Sequence, residues 1–235
     1  MTESSTCDRK CKGSKPRTCV FDFTLEILKT SELRRPVDGR ERLVLAYNGI
    51  IPGPPVVVCE QDDVIINVQN AIDSNFTNID GQSNGTTLHL HGIRQKHQPW
   101  SDGVPYVTQC PFPPNETFTY KFNRSNGAPP GTYWYHSHVG SQRTNGAYGV
   151  LIVKESQERN PKLFDIDDSS HTLTLQEWYH NFTYLAPVTI LVNGVGKAPK
   201  KMPIFDTEDS TQAIHDYHTG KGATFTFIDN PEFNS

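Results

Sequence analysis

The feature that most constrains the fold is a series of short segments in which apolar and polar residues alternate. The first, CVFDFTLEIL at residues 19–28, repeats with the period of a β-strand that has one buried face. Turn residues such as NG, PGPP, DSN, DG and PPG separate these segments, and no segment has a convincing helical period of useful length. The further strand-like runs are RLVLAYN, PVVVCE, DVIINVQN, TTLHLHGI, TFTYKFN, GTYWYHS, AYGVLIV, HTLTLQEW and ATFTFIDN. The sequence therefore predicts an all-β sandwich or barrel.

The distribution of these runs predicts four parts of the chain. Residues 1–19 form a cysteine-bearing arm, and residues 20–155 contain enough strands for one complete β-sandwich. The charged and polar stretch 156–170 is typical of a linker. Residues 171–235 contain few strand-like runs, although LVNGVG is typical of a hairpin turn. We expect this last part to be the start of a second β-domain that is cut short.

Composition excludes some classes of partner. The formal net charge is −4 and no basic stripe occurs, so nucleic acid is not an expected partner. No run of roughly 18 apolar residues occurs, so no membrane span is predicted. The N-terminal stretch MTESSTCDRKCKGSKPR has no apolar segment of the kind that a signal peptide contains.

Cysteines and glycosylation sequons nevertheless favour an extracellular protein. Three of the five cysteines (Cys7, Cys11 and Cys19) cluster near the N-terminus, as in a disulfide framework of a secreted chain. An odd number leaves at least one cysteine without an intrachain partner. The alternative is a set of free thiols and unused sequons. The five Asn-x-Ser/Thr sequons begin at Asn75, Asn84, Asn115, Asn123 and Asn181.

Two His-x-His pairs are the strongest chemical signal. LHLHGI contains His89 and His91, and YWYHSH contains His136 and His138. In a strand, residues i and i+2 point to the same face, roughly 6.6 Å apart. If the two strands are neighbours, four imidazoles converge, and an all-nitrogen site suits copper or zinc. The pattern predicts a metal site, and a polar strand face is the alternative. The other histidines are expected to be solvated or structural: His97, His171, His180, His215 and His218.

Beyond the histidine pairs, three longer stretches carry a specific resemblance. NGIIPGPPVVVCEQDDV (48–64), TTLHLHGIRQKHQPWSDGVPYVTQCPF (86–112) and GTYWYHSHVGSQRTNGAYGVLIV (131–153) resemble the N-terminal cupredoxin domain of a multicopper oxidase. The arm and the VTQCP run make the chain most similar to arthropod laccases. The resemblance covers nearly all of residues 17–155, and it continues more weakly through HTLTLQEWYH, ILVNGVGK and ATFTFIDN. It implies a cupredoxin-like Greek-key β-sandwich or barrel.

The resemblance also implies roles for individual residues. In the family, four His-containing motifs bind three coppers. By this likeness His89 would bind the type 2 copper, and His91, His136 and His138 would bind the type 3 pair. Asp102, in WSDG, matches a carboxylate that assists proton delivery during oxygen reduction; from its residue chemistry alone, it is a turn residue before a glycine.

The resemblance further implies what is missing from the chain. The family's type 1 copper, which accepts electrons from the substrate, uses a Cys and two His, often with an axial Met. No cysteine of this chain stands beside a histidine, and the only methionine after Met1 is Met202. We therefore expect an N-terminal portion of a laccase-like enzyme, inactive without the C-terminal domain that completes the cluster. In relatives Cys110 would bridge to that last domain; a Cys59–Cys110 bridge is the alternative.

Three readings of the function follow. The complete enzyme would oxidise phenols or diphenols and reduce O2 to water. A non-catalytic copper-binding or interaction protein, derived from a truncated oxidase, is the second reading. A cupin-like metalloenzyme is the third, but it needs a Glu soon after the histidine pair, where this chain has Gly-Ile-Arg-Gln-Lys.

Overall fold

Two mixed four-stranded β-sheets form the body of the protein in a computed structural model. The structure describes residues 7–35, 37–73, 84–123, 125, 128–156, 165–166, 168–180, 187 and 189–197. The strands are β1 (Thr18–Lys29), β2 (Leu43–Tyr47), β3 (Gly53–Cys59), β4 (Asp63–Asn70), β5 (His89–His91), β6 (Thr117–Phe122), β7 (Gly131–His136), β8 (Tyr148–Lys154), β9 (Leu175–Trp178) and β10 (Thr189–Val192). Short 3₁₀ turns lie at Thr30–Glu32, Pro99–Ser101 and Ser169–His171.

The chain alternates between the two sheets from β2 to β7, and β8 then returns beside β7 in the same sheet. The first sheet has the order β2-β1-β4-β6 and the second has the order β3-β8-β7-β5. β1 and β4 are parallel, as are β3 and β8, and the other neighbours are antiparallel. Such crossovers give the predicted Greek-key, cupredoxin-like sandwich. Nine predicted strand runs correspond to β1–β9, while ATFTFIDN lies outside the described residues.

The core lies between the sheets and follows the alternation of the sequence. In β1, the residues at positions 19, 21, 23 and 25 are buried, and in β4 those at positions 64, 66 and 68. Phe23, Tyr47 and Tyr135 form an aromatic group with ring centroids 5.1–5.6 Å apart. The Tyr135 hydroxyl donates to the carbonyl of Pro54 at 2.7 Å, which satisfies its polar end within the core.

The N-terminal arm is attached by two disulfides, Cys7–Cys19 and Cys11–Cys59. The predicted disulfide framework is therefore present, and the suggested Cys59–Cys110 bridge is wrong because Cys59 already has a partner. Cys110 is a free, exposed thiol. The spacing of the cysteines in the sequence could not reveal this pairing, because disulfide connectivity depends on which loops meet in space.

A small antiparallel hairpin, β9–β10, packs beside the sandwich. Trp178 and Leu191 are fully buried in a second apolar cluster together with Val44 and Ala46 of β2. The Arg42 guanidinium lies 4.0 Å from the centre of the Trp178 ring. The predicted LVNGVG turn is confirmed: its Asn-Gly pair, residues 193–194, has positive φ angles of 49° and 82°.

None of the helices among the described residues is both long and apolar enough to cross a membrane.

Candidate metal centre

The two His-x-His segments lie side by side because β5 and β7 are antiparallel neighbours. His89 pairs with His136, and Leu90 pairs with Tyr135. Leu90 and Tyr135 are fully buried in the core, so the alternation of the strands places the histidines on the opposite face. One side-chain nitrogen from each of His89, His91 and His136 lies within 4.8 Å of the other two. The two histidine strands are thus neighbours, which was the condition for the four imidazoles to converge.

His138 lies at the edge of this group. β7 ends at His136, so strand alternation no longer fixes the direction of His138. Its ring centroid is 5.3 Å from that of His89 and 5.7 Å from that of His136. Its side chain is exposed, whereas His136 is buried. All four predicted histidines therefore meet at one place, three of them in a compact group.

Backbone carbonyls orient two of the rings. His89 Nδ1 lies 2.6 Å from the carbonyl oxygen of Asp102, and His136 Nδ1 lies 2.8 Å from that of Ser137. A carbonyl oxygen only accepts hydrogen bonds, so each Nδ1 carries the proton. Each Nε2 then keeps a lone pair for a metal, in the arrangement that neighbouring groups commonly impose on metal-binding histidines.

Desolvation lowers the pKa of two of the imidazoles and so favours their neutral form. It lowers the pKa of His136 to about 3, and the hydrogen bond to Ser137 only partly opposes this effect. It also lowers the pKa of His91, with the neighbouring charge of His89 acting in the same direction. A neutral imidazole at pH 7 can donate a lone pair to a metal, whereas an imidazolium cannot.

The donor set fits a copper ion. Metal–nitrogen bonds of about 2.0–2.1 Å place nitrogens on opposite sides of one ion about 4.2 Å apart, and the nitrogens of this group lie within 4.8 Å of one another, so a pair of them is near enough to share an ion. His91 Nδ1 and His136 Nε2 are only 3.4 Å apart. Imidazole nitrogens without a carboxylate in the group suit copper or zinc better than magnesium or calcium.

The WSDG segment packs against the backbone at the start of β5. Gly103 has a φ of 76°, and a Cβ atom there would lie 1.9 Å from the Leu88 carbonyl oxygen. Only glycine allows this approach, which brings the carbonyl of Asp102 against His89. The Asp102 carboxylate itself lies 3.4 Å from His89 Nδ1, and its side chain is 30% exposed. It is therefore both near the histidines and open to water.

Trp134 is a neighbour of the site that the sequence analysis missed. It pairs with His91 across the strands, and its ring stacks on His91 at 5.0 Å and lies 4.2 Å from the ring of His136. The signal was available, because Trp134 precedes His136 by two residues and so shares its face. On its outer side, Trp134 lines a cleft of about 560 Å³ between β7–β8 and residues 172–179.

The other histidines lie away from the group where the structure describes them. His97 and His171 are exposed. His180 is half-buried and its Nε2 contacts the carboxylate of Asp38, which is a structural role. His215 and His218 lie outside the described residues.

The residues of this site fall within a match to a family of known proteins. The multicopper oxidase family model matches residues 29–158, a range that contains all four histidines and Asp102. Laccase-1 of Fomitopsis schrenkii is 37% identical over 166 residues, which are 68% of this chain and 30% of that laccase. Dihydrogeodin oxidase of Aspergillus terreus is 41% identical over 171 residues, 68% of this chain and 26% of that oxidase.

Solved structures have the same fold. The laccase from Botrytis aclada is 30% identical with a TM-score of 0.61, and the match covers 81% of this chain and 34% of that chain. Fet3p, a multicopper oxidase that functions in iron import, is 30% identical with a TM-score of 0.61, over 76% and 33%. The chain thus spans about a third or less of the length of these relatives. The closer likeness to arthropod laccases stays a prediction.

Proposed function

Because this chain belongs to the multicopper oxidase family, we propose that it provides the first-domain half of an oxygen-reducing copper centre in a laccase-like enzyme. The observation that carries the proposal is the β5–β7 register, which groups the nitrogens of His89, His91 and His136. Copper bound there would supply the one-electron chemistry that couples oxidation of a phenol or diphenol to reduction of O2 to water.

The residues have separate tasks in this proposal. His89 would hold the type 2 copper, and its Nδ1 contact with a backbone carbonyl supports binding through Nε2. His91, His136 and His138 would hold the type 3 pair. The lowered pKa values of His91 and His136 favour the neutral ligand. Asp102 would pass protons to the site, since its carboxylate lies beside His89 and remains partly exposed.

We propose further that this chain does not turn over phenols by itself. A type 1 copper needs a cysteine ligand, and four of the five cysteines form disulfides. The fifth, Cys110, is in QCP without an adjacent histidine. In the part of the chain that the structure describes, the histidine group is the only cluster of three or more metal-ligating side chains. Further domains of a complete enzyme would supply the remaining ligands.

Copper binding tests the site. We expect the chain to bind Cu²⁺ at neutral pH and His136→Ala to bind it at least about tenfold more weakly, because a buried ligand is lost. His171→Ala is the matched control, since His171 is exposed and distant from β5 and β7 in the chain. Calorimetric titration with Cu²⁺ measures both variants. Equal affinities for them would contradict the proposed site.

Turnover tests the second part of the proposal. We expect the copper-loaded chain to show no oxygen uptake with a phenol and no intense blue absorption. Robust turnover with a blue band would contradict incompleteness. Copper binding with no turnover, even when the chain is combined with the remaining domains of a relative, would favour the alternative of a non-catalytic copper-binding protein.

Secretion is also proposed, in line with the fungal laccases that the chain resembles. Disulfides persist in oxidising compartments, and both disulfides of the chain are buried. The sequon residue Asn115 is exposed in a turn just before β6. Expression through a eukaryotic secretory pathway should give a glycosidase-sensitive product, and Asn115→Gln should remove one glycan from it.

A further inference from the structure

A buried polar network connects the two His-x-His segments on the side away from the metal site. Gln142 lies at its centre, in the turn that follows β7, and its side chain is mostly buried. The Gln142 Oε1 atom accepts hydrogen bonds from the hydroxyls of Thr86 at 2.8 Å and Ser137 at 2.6 Å. Its Nε2 donates to the carbonyl of Gly85 at 3.0 Å. One side chain therefore holds three points on two separate segments.

The residues that Gln142 contacts lie close in the chain to the histidines of the candidate metal site. Gly85 and Thr86 lie four and three residues before β5, the strand of the first histidine pair, and Ser137 lies between the two histidines of the second pair. Thr86 and Ser137 are both almost completely inaccessible to water. The hydroxyls of these two residues also lie 3.3 Å apart. A shift of one histidine segment past the other would break several buried hydrogen bonds at once.

The pairing of β5 with β7 by itself holds the two histidine segments only weakly. β5 has three residues and pairs with β7 through only three residue pairs. The ladder also stops at His136, so it does not hold His138. Short ladders specify register poorly, and the Gln142 network begins just where the ladder ends.

The orientation of the Gln142 amide is determined by its neighbours. If oxygen and nitrogen were exchanged, the amide oxygen would face the carbonyl oxygen of Gly85, and two acceptors would meet without a proton. The backbone of Gln142 is fixed as well, because its N–H donates to the carbonyl of Val139 and its carbonyl accepts from the N–H of Ala147. Gln142 is thus a rigid anchor.

We propose that Gln142 is a positioning residue that locks the two His-x-His segments in one relative placement and thereby sets the geometry of the copper ligands. The inference rests on the proposed function in so far as it concerns copper, while the placement of the rings is independent of it. Gln142 does not contact the metal site itself; it acts through Ser137 and Thr86.

Gln142→Met tests this role, because methionine has a similar length and cannot make the hydrogen bonds. We expect the ring ¹⁵N–¹H NMR signals of His136 and His138 to shift in the metal-free full chain, while those of the exposed His97 and His171 stay unchanged. We expect Cu²⁺ affinity to fall about 10–100-fold, the effect typical of losing a residue that orients a metal ligand. Gln142→Glu, which keeps both accepted hydrogen bonds, should have intermediate affinity and an electron paramagnetic resonance spectrum of bound Cu²⁺ closer to the original.

Gln61→Met is the matched control. Gln61 donates a side-chain hydrogen bond to the carbonyl of Ser14 at 2.7 Å, in the N-terminal arm. It should lose a comparable hydrogen bond without changing the histidine signals or the Cu²⁺ affinity. A folded Gln142→Met chain with unchanged His136 and His138 signals and unchanged Cu²⁺ affinity would overturn the proposal.

A second variant covers the case in which Gln142→Met does not fold. Thr86→Val removes one hydroxyl with little change of shape and breaks one hydrogen bond between Gln142 and the segment before β5. Unchanged His138 signals in that variant would overturn the proposal equally. If the unaltered chain fails to bind Cu²⁺, the proposed function is wrong, whereas shifted ring signals in the variants would still support the positioning role.

Discussion

Replacing Gly103 by alanine should destabilise the protein through a steric clash with the backbone at the start of β5. The new Cβ atom would lie 1.9 Å from the carbonyl oxygen of Leu88 and 2.9 Å from the backbone nitrogen of His89. Ordinary carbon–oxygen contacts are above about 3 Å, so the loop or β5 must move by about 1 Å. The φ of 76° adds a conformational penalty of about 1–2 kcal/mol for a residue with a side chain, and forced overpacking costs about 1–3 kcal/mol more.

Gly13→Ala separates these two contributions. Gly13 has nearly the same φ, 75°, and no atom lies within 4 Å of a Cβ built there. Both variants restrict the unfolded chain equally, so the difference between their free energies of unfolding isolates the collision. Urea denaturation followed by circular dichroism should give a difference of about 1–3 kcal/mol, and Cu²⁺ affinity should fall only for Gly103→Ala, because the carbonyl of Asp102 is displaced from His89. Equal destabilisation and equal Cu²⁺ affinity in the two variants would refute this reasoning.

Two further predictions concern the attachment of the chain ends to the sandwich. Burial opposes ionisation of Asp62, but hydrogen bonds from Arg9 and from backbone N–H groups outweigh burial and lower the pKa of the carboxyl group. The ionised carboxylate therefore stabilises the fold above the ordinary Asp pKa. This contribution to the free energy of unfolding is lost as the pH falls through the lowered pKa. Asp62→Asn should unfold more easily at pH 7 and show a flatter dependence of stability on pH below about pH 4, and an unaltered pH dependence in urea denaturation would exclude this role. Trp178→Ala removes a fully buried side chain beneath Arg42 and should cost about 3–5 kcal/mol; a loss below about 1 kcal/mol would mean that the β9–β10 hairpin packs only weakly.

Much of the fold could be predicted because burial alternates along each strand. The CVFDFTLEIL run became β1, with its apolar positions in the core. β10 was missed because TILV is a short continuous apolar run, which does not show a period of two. The turn after it was predicted, since an Asn-Gly pair favours positive φ at both positions.

The cysteines show where prediction from the sequence stops. The cluster near the N-terminus indicated disulfides, but its three cysteines cannot all pair among themselves because three is an odd number. Two of them are bridged to each other, Cys7 to Cys19, and the third reaches Cys59 at the end of β3. The partly buried Arg9–Asp62 ion pair, at 2.7 Å, joins the same arm to the turn after β3. Both contacts depend on where that turn lies in space, which residue spacing does not reveal.

The sequence by itself determined the chemistry of the site: four histidines, in two pairs with the spacing that puts each pair on one face of a strand. Tertiary structure alone decided that β5 and β7 are neighbours in the register that opposes His89 and His136. It also decided that a carbonyl of Asp102 orients one ring and that Gln142 joins the two segments. The physical reason is that alternation is a local property of the chain, whereas register and hydrogen-bond partners depend on distant segments that meet only in the folded protein.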